Sequence, residues 1–143
     1  MNDRDLQNPA RMLATLITGY GIPAEALAPV LGMTAEAVEA VREGNAYALP
    51  EDEDARFSVL CKLGMLCMIP GENPDLKVGA FLRVLLELHK LSPAGVARLA
   101  GLTEAELAAF LEAPASVPLE KRYRLASAVM TLRYLFKDAE PPL

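Results

Sequence analysis

The 143-residue chain has few of the residues on which enzyme chemistry commonly depends, with a single histidine and two cysteines. His89 ends an apolar segment, and no cysteine or second histidine is placed to work with it, so we assign it a structural role. Cys61 and Cys67 stand six residues apart in one apolar segment and therefore point to different faces of a helix. This spacing favours two buried free thiols over a disulfide or a metal site. Since glycine-rich phosphate loops, nucleophile elbows and metal-ligand spacings are also lacking, the sequence predicts no enzyme, no metal and no cofactor.

Long apolar runs and positive charge are scarce as well. No uncharged apolar run reaches the roughly 18 residues that a membrane-spanning helix needs, and the polar start of the chain does not resemble a signal peptide. These features predict a cytoplasmic protein without membrane contact. The 14 Lys and Arg residues oppose 19 Asp and Glu residues, which gives a net charge of −5 and a pI of about 4.9. This balance opposes non-specific attraction to nucleic acid, because phosphate charge sets most of that affinity, but it does not exclude a local basic patch.

Apolar residues at helical spacing fill most of the chain, separated by proline, glycine and helix-capping residues. N-caps are predicted before four helices, at Asn8, Thr34, Ser92 and Thr103. Left-handed glycines are predicted to end two helices, at Gly32 and Gly101. The helix before Gly32 is predicted to bury one apolar stripe, formed by Ala26, Leu27, Val30 and Leu31. The helix after Pro50 is apolar nearly all round, which predicts burial on most sides by its own fold or by another chain.

Much of the first half of the sequence returns 69 residues later. Gly32 corresponds to Gly101 and Thr34 to Thr103, and most other matched positions are predicted caps or buried residues. Such a pattern is typical of one packing solution used twice; the alternative is chance similarity between two alanine-rich segments. Dropping one loop residue then aligns Arg56 with Arg124. With the proline-rich connector at 69–74 as the boundary, the sequence predicts a first helical repeat over residues 1–70 and a second over residues 71–143.

Small and apolar residues surround both predicted turns, as Leu27-Ala28, Leu31-Gly32-Met33-Thr34, Val38 and Gly44, and again as Val96-Ala97, Gly101-Leu102-Thr103 and Leu107. Through these residues each repeat resembles the helix-turn-helix domain of the lambda-repressor-like, or Xre/Cro-type, family. The resemblance covers nearly the whole chain. It implies an all-α fold of two tandem lambda-repressor-like helix-turn-helix bundles, about eight helices packed as one compact unit.

In that family the second helix of each pair enters the major groove, where polar or basic side chains read bases and grip phosphates. The resemblance places a candidate recognition-helix surface at Thr34, Ala35, Glu36, Glu39 and Arg42. Arg42 is the only cation of this helix, and residues 103–113 contain none. Because acidic helices facing a polyanion are repelled, the pattern indicates a fold retained and a DNA surface lost.

Three basic residues cluster elsewhere, at Lys121, Arg122 and Arg124. They form either a solvated helix face or a phosphate-contact patch. Two functions therefore remain open: a non-enzymatic regulator that contacts another protein or itself, most simply as a homodimer, and a sequence-specific DNA-binding transcriptional regulator of the Xre/Cro type. The charge pattern favours the first. A small-ligand pocket between helices is a third reading.

Overall fold

All regular structure in residues 8–140, the part of the chain that the computed structural model describes, is helical. The predicted polar start at residues 1–7 lies outside the described residues, as do residues 141–143. The chain divides into two units, one ending at Gly71 and the next beginning at Glu72. The prediction of an all-α fold is confirmed, with eight α-helices in the described part of the chain.

The first unit contains four α-helices: α1 (Pro9–Ala14), which a π-helical turn extends over Thr15–Gly19, α2 (Ala24–Leu31), α3 (Ala35–Arg42) and α4 (Glu53–Met68). Asn8 caps α1 by accepting hydrogen bonds from the backbone N–H groups of Ala10 and Arg11. Thr34 caps α3 in the same way through the N–H of Ala37, at 3.1 Å. Gly32 joins α2 to α3 with φ of 66°, a left-handed conformation that glycine adopts without strain. The predicted turn and caps are thus confirmed.

The core of the first unit draws on all four helices, with Met12, Leu13, Leu16, Leu27, Leu31, Val38, Val41, Val59 and Leu63 among its buried residues. The predicted stripe of α2 is partly wrong. Ala26 is exposed and Val30 is 50% exposed, while Ala24 and Ala28 are buried. The helix is therefore rotated from the prediction, and it buries the positions i, i+3, i+4 and i+7 counted from Ala24.

Only one side of α4 is buried within the chain. Val59, Leu63 and Cys67 face the core, whereas Phe57 is 67% exposed on the opposite side. Of the two predicted ways of covering this helix, coverage by its own fold is therefore wrong, and coverage by another chain stays a prediction. The prediction of two buried thiols holds for Cys67 and fails for Cys61, which is exposed. Burial also raises the pKa of the Cys67 thiol.

The second unit again contains four helices: α5 (Pro74–Glu87), α6 (Pro93–Ala100), α7 (Glu104–Glu112) and α8 (Leu119–Phe136). Ser92 caps α6, and Gly101 ends it with φ of 73°. Thr103 and Glu106 form the predicted capping box at the start of α7, because each side chain accepts the other residue's backbone N–H. The core contains Leu82, Leu85, Val96, Leu107, Phe110, Leu125 and Val129.

The two units bury corresponding residues. Helices α2 and α6 begin 69 residues apart, as do α3 and α7, and Val38 and Leu107 are both buried at this offset. Helices α4 and α8 begin only 66 residues apart, and at this offset Val59 corresponds to Leu125. Arg56 therefore corresponds by position to Arg122 and not to Arg124 as the sequence alignment suggested. The origin of the two units as a tandem repeat stays a prediction.

Candidate functional site

The outward face of α3 carries little that can grip a phosphate. The hydroxyl of Thr34 is used as the helix cap, and Ala35 packs partly against the core of the first unit. Glu36 is exposed at the first turn of the helix. Over the first turn of α3, the candidate recognition surface therefore offers a hydroxyl that is already used as the helix cap, an alanine and a carboxylate.

The only cation of α3 is held by carboxylates of its own helix end. Arg42 Nε lies 2.6 Å from Glu39 Oε2, and Arg42 Nη2 lies 4.0 Å from Glu43 Oε1. A phosphate bound by the other N–H groups of Arg42 would lie close to the Glu39 carboxylate and be repelled by it. The local charge around this guanidinium is negative, since two carboxylates accompany one cation.

The equivalent helix of the second unit, α7, has no cation of its own. Its carboxylate Glu106 accepts a hydrogen bond from the ammonium of Lys121 and another from the backbone N–H of Thr103. The hydrogen bond from Lys121, followed by that from Thr103, lowers the pKa of Glu106 from its ordinary value of 4.5 to about 2. Glu106 is consequently ionised throughout the physiological pH range. The remaining outward positions of α7 are Glu104, Ala105 and Ala108, all exposed.

The three basic residues at the start of α8 are each paired with a carboxylate, and their partners differ. Lys121 binds Glu106 of α7. Arg122 Nη1 lies 2.9 Å from Asp75 Oδ2 in α5, while its Nε donates to the carbonyl oxygen of Val117 at 2.9 Å.

Arg124, the third of these cations, stays on its own helix, with its Nε 3.3 Å from Glu120 Oε1. The three cations are thus adjacent in sequence but are directed to α7, α5 and α8 respectively. They do not form one free basic patch.

A family model described as a helix-turn-helix domain matches residues 5–142. The chain belongs to this helix-turn-helix family. No curated protein and no solved structure matches the chain. The match runs through both units of the helix-turn-helix protein and confirms the helix-turn-helix part of the predicted resemblance. The assignment to the Xre/Cro type, and to two tandem copies, stays a prediction.

The His89 side chain is buried in the second unit, with 4% of it exposed. Its ring packs edge-on against Phe136 at a centroid distance of 5.5 Å, and its Nε2 lies 3.6 Å from Glu140 Oε1. A hydrogen bond from Arg133, with a smaller effect of His89, lowers the pKa of Glu140. Within residues 8–140, no three His, Cys, Asp or Glu side chains are grouped so that they could hold a metal ion. No helix in the same part of the chain is long and apolar enough to cross a membrane.

An open groove runs between α6 and α8. One part, about 380 Å³ in volume, is lined by Leu99, Ala100, Arg124, Ser127, Ala128, Thr131 and Leu132. A second part of about 220 Å³ shares Leu99 and Leu132 with the first and extends to Phe136. The lining of the two parts offers one charged group, Arg124, and three hydroxyls, of which that of Ser92 is used to cap α6. A small polar ligand therefore has few partners here to fix its orientation.

The most exposed apolar surface of the second unit was missed by the sequence analysis. Leu119, Tyr123, Met130, Tyr134 and Leu135 of α8 are all more than 60% exposed. The first four of these residues recur on one side of the helix, and we refer to these four as the α8 face; Leu135 lies about 100° around the helix from Tyr134. The signal for this face in the sequence is the apolar character of α8 on more than one side, a feature that α8 shares with α4. Exposed patches of large apolar side chains are a common feature of interaction surfaces.

Proposed function

We propose that this helix-turn-helix protein acts by contacting another protein or a second copy of itself, and that neither α3 nor α7 reads DNA. The observation that carries this proposal is that the cations on and near these helices are few and are paired with carboxylates. The single arginine of α3 is paired with Glu39, α7 has no cation, and the cations at the start of α8 are engaged by carboxylates.

The electrostatics support protein contact over DNA contact. A protein gains affinity for DNA by neutralising phosphates with Lys and Arg, which releases condensed counterions. A cation that already has a carboxylate partner gains less from a phosphate, because the partner must be displaced or kept close to the polyanion. Residues 1–71 contain five Lys and Arg residues against ten Asp and Glu residues. The first unit as a whole therefore opposes a polyanion.

The exposed apolar surface also supports contact with a protein. Exposed patches of large apolar side chains are typical of protein interaction sites and are rare on monomers above a few hundred Å². The α8 face is such a patch. By binding another macromolecule through this face, the protein would alter the activity of that macromolecule and so act as a regulator.

Selection from a pool of random-sequence duplexes at low salt tests the proposal. We expect no enriched sequence from the natural protein. As a matched positive control, a variant with Glu36→Lys and Glu39→Gln removes two negative charges, adds one positive charge and frees Arg42, so it should gain salt-sensitive, non-specific duplex binding. Enrichment of one site by the natural protein, with loss of that enrichment in Arg42→Gln, would overturn the proposal.

A second candidate is a sequence-specific DNA-binding transcriptional regulator of the Xre/Cro type. Membership in a helix-turn-helix family favours it. Dimers of such regulators read two half-sites about one helical turn apart, so an enriched site should be palindromic. Arg124→Gln is the cleanest probe of the candidate patch, because Arg124 is the most exposed of its three cations. Lost binding in that variant, with unchanged unfolding, would support this candidate.

A further inference from the structure

The α8 face lies on the side of its helix that points away from the core. Leu119, Tyr123, Met130 and Tyr134 follow one another at helical spacing and are 72%, 76%, 70% and 69% exposed. On the opposite side of the same helix, Leu125 and Val129 contact the core of the second unit. The helix is therefore apolar on two opposite sides, and the chain covers only one of them.

The size of this face matches what half of a dimer interface provides. A fully exposed large side chain offers about 150–250 Å², so the four of them at these exposures present on the order of 600 Å². That value lies at the upper end for the largest patch on a monomer. Two such faces together bury about 1,200 Å², the lower bound for a stable specific interface.

The middle of the face offers no charged group by which a partner could be selected. Residues 125–132 of α8 contain no charged side chain. The charged groups beside the face are engaged: Arg124 with Glu120, and Lys137 over the ring of Tyr134, with Nζ 4.9 Å from its centroid. What fits this surface is another uncharged apolar surface.

We propose that the occupant of the α8 face is the α8 face of a second copy, with the two helices antiparallel about a twofold axis near Ser127. This inference rests on the proposed function and specifies its self-association form. Ser127 is exposed and stands midway between Leu119 and Leu135 in the sequence. Its small side chain lets two helices approach to the usual 8–10 Å axis separation.

When the same face of a second copy is placed against it in the opposite direction, the side chains of the two faces meet in suitable pairs. In the antiparallel arrangement Tyr123 lies opposite Met130 of the second copy, a sulfur–aromatic contact, and Leu119 lies opposite Tyr134. Glu120 comes within about one helical turn of Lys137 of the second copy. Both copies make the same contacts, as a twofold interface requires.

Sedimentation equilibrium tests which surface is used. We expect the natural protein to be dimeric, and Met130→Glu to weaken dimerisation about 100-fold or more, because it buries an unpaired charge. Leu76→Glu in α5 is the matched control. It makes the same change at a side chain that is 67% exposed, against 70% for Met130, and should leave the dimer intact.

Disulfide trapping tests the register. In a Cys61→Ser background, Ser127→Cys should give a covalent dimer under mild oxidation. Leu119→Cys should not, since two copies of residue 119 lie about 24 Å apart along antiparallel helices and a disulfide spans a Cα separation of about 4.4–6.8 Å. The buried Cys67 serves as the internal negative control in both variants.

Four results would overturn the inference. These are a monomer at concentrations up to about 0.5 mM, a dimer that Met130→Glu leaves unchanged, trapping at Leu119→Cys in place of Ser127→Cys, and trapping of the natural protein through Cys61 on α4. In the second and fourth results the protein still associates, so the proposed function stands while the assigned surface fails. The duplex selection, by contrast, decides the proposed function whatever the oligomeric state.

Discussion

The two units share a helix order and a burial pattern but differ in charge. Residues 1–71 contain five cationic and ten anionic side chains, whereas residues 72–143 contain nine of each. The additional cations of the second unit are largely used to pair its own carboxylates, as in Lys121 with Glu106 and Arg122 with Asp75. The comparison teaches that the same helix order and burial pattern is compatible with two different balances of surface charge.

The largest expected difference between the units concerns their cores. Phe110 is 1% exposed in the second unit, where the first unit has the smaller Val41. We expect Phe110→Ala to cost about 3–5 kcal/mol in the free energy of unfolding, and Val41→Ala to cost less because a smaller apolar group is removed. Hydrogen exchange should show that Phe110→Ala removes protection from residues 72–143 and leaves it in residues 8–71. Equal loss of protection in both regions would show that the two units unfold as one.

The turn glycines should behave alike in the two units. Gly32 and Gly101 have φ of 66° and 73°, and an added Cβ meets no atom within 3.4 Å at either position. The cost of Gly→Ala at both sites is therefore backbone strain alone, about 1–2 kcal/mol in the free energy of unfolding, measured by urea denaturation.

Gly64 in α4 is the control for these two substitutions. It is helical and has open space around its Cα, so Gly64→Ala should stabilise the protein by about 0.5–1 kcal/mol. A cost of different size at Gly32 and Gly101 would mean that the two turns are not equivalent.

Local features of this fold could be predicted from the sequence, and long-range ones could not. The caps at Thr34 and Thr103 and the turns at Gly32 and Gly101 depend on a few neighbouring residues, whose chemistry admits one conformation. The rotation of α2 was missed because alanine, leucine and valine on several of its sides make more than one stripe plausible.

The carboxylate partner of each cation could not be predicted from the sequence either. Lys121 and Glu106 are 15 residues apart, and Arg122 and Asp75 are 47 apart. Such partners are known only once the helices are placed against one another. For the same reason, Lys121, Arg122 and Arg124 could be identified as a cluster, but the separate direction of each side chain could not be foreseen.

The N-caps at Thr34 and Thr103 should contribute nearly the same free energy of unfolding to the two units. Thr34 and Thr103 each accept one backbone N–H, so Thr→Ala at either site should cost about 1 kcal/mol of unfolding free energy. The second unit should lose slightly more, because Thr103→Ala also disrupts a reciprocal capping box. Thermal unfolding of the paired variants measures the difference. A clearly larger loss for Thr34→Ala would contradict this ranking of the two caps.

The smallest expected effect is the dependence on acid that Glu106 gives to the second unit. Because the pKa of Glu106 is about 2 when folded and 4.5 ordinarily, its stabilisation is complete above pH 4.5 and is lost as the pH falls towards 2. The corresponding position 69 residues earlier is Ala37, which cannot titrate. Glu106→Gln should therefore flatten part of the stability loss of the second unit between pH 4.5 and 2, measured by urea midpoints, while glutamine still fits the capping box. Glu104→Gln, an exposed neighbour on the same helix, is the matched control and should leave the acid dependence unchanged; an equal effect of both variants would show that overall charge, and not the pair with Lys121, sets this dependence.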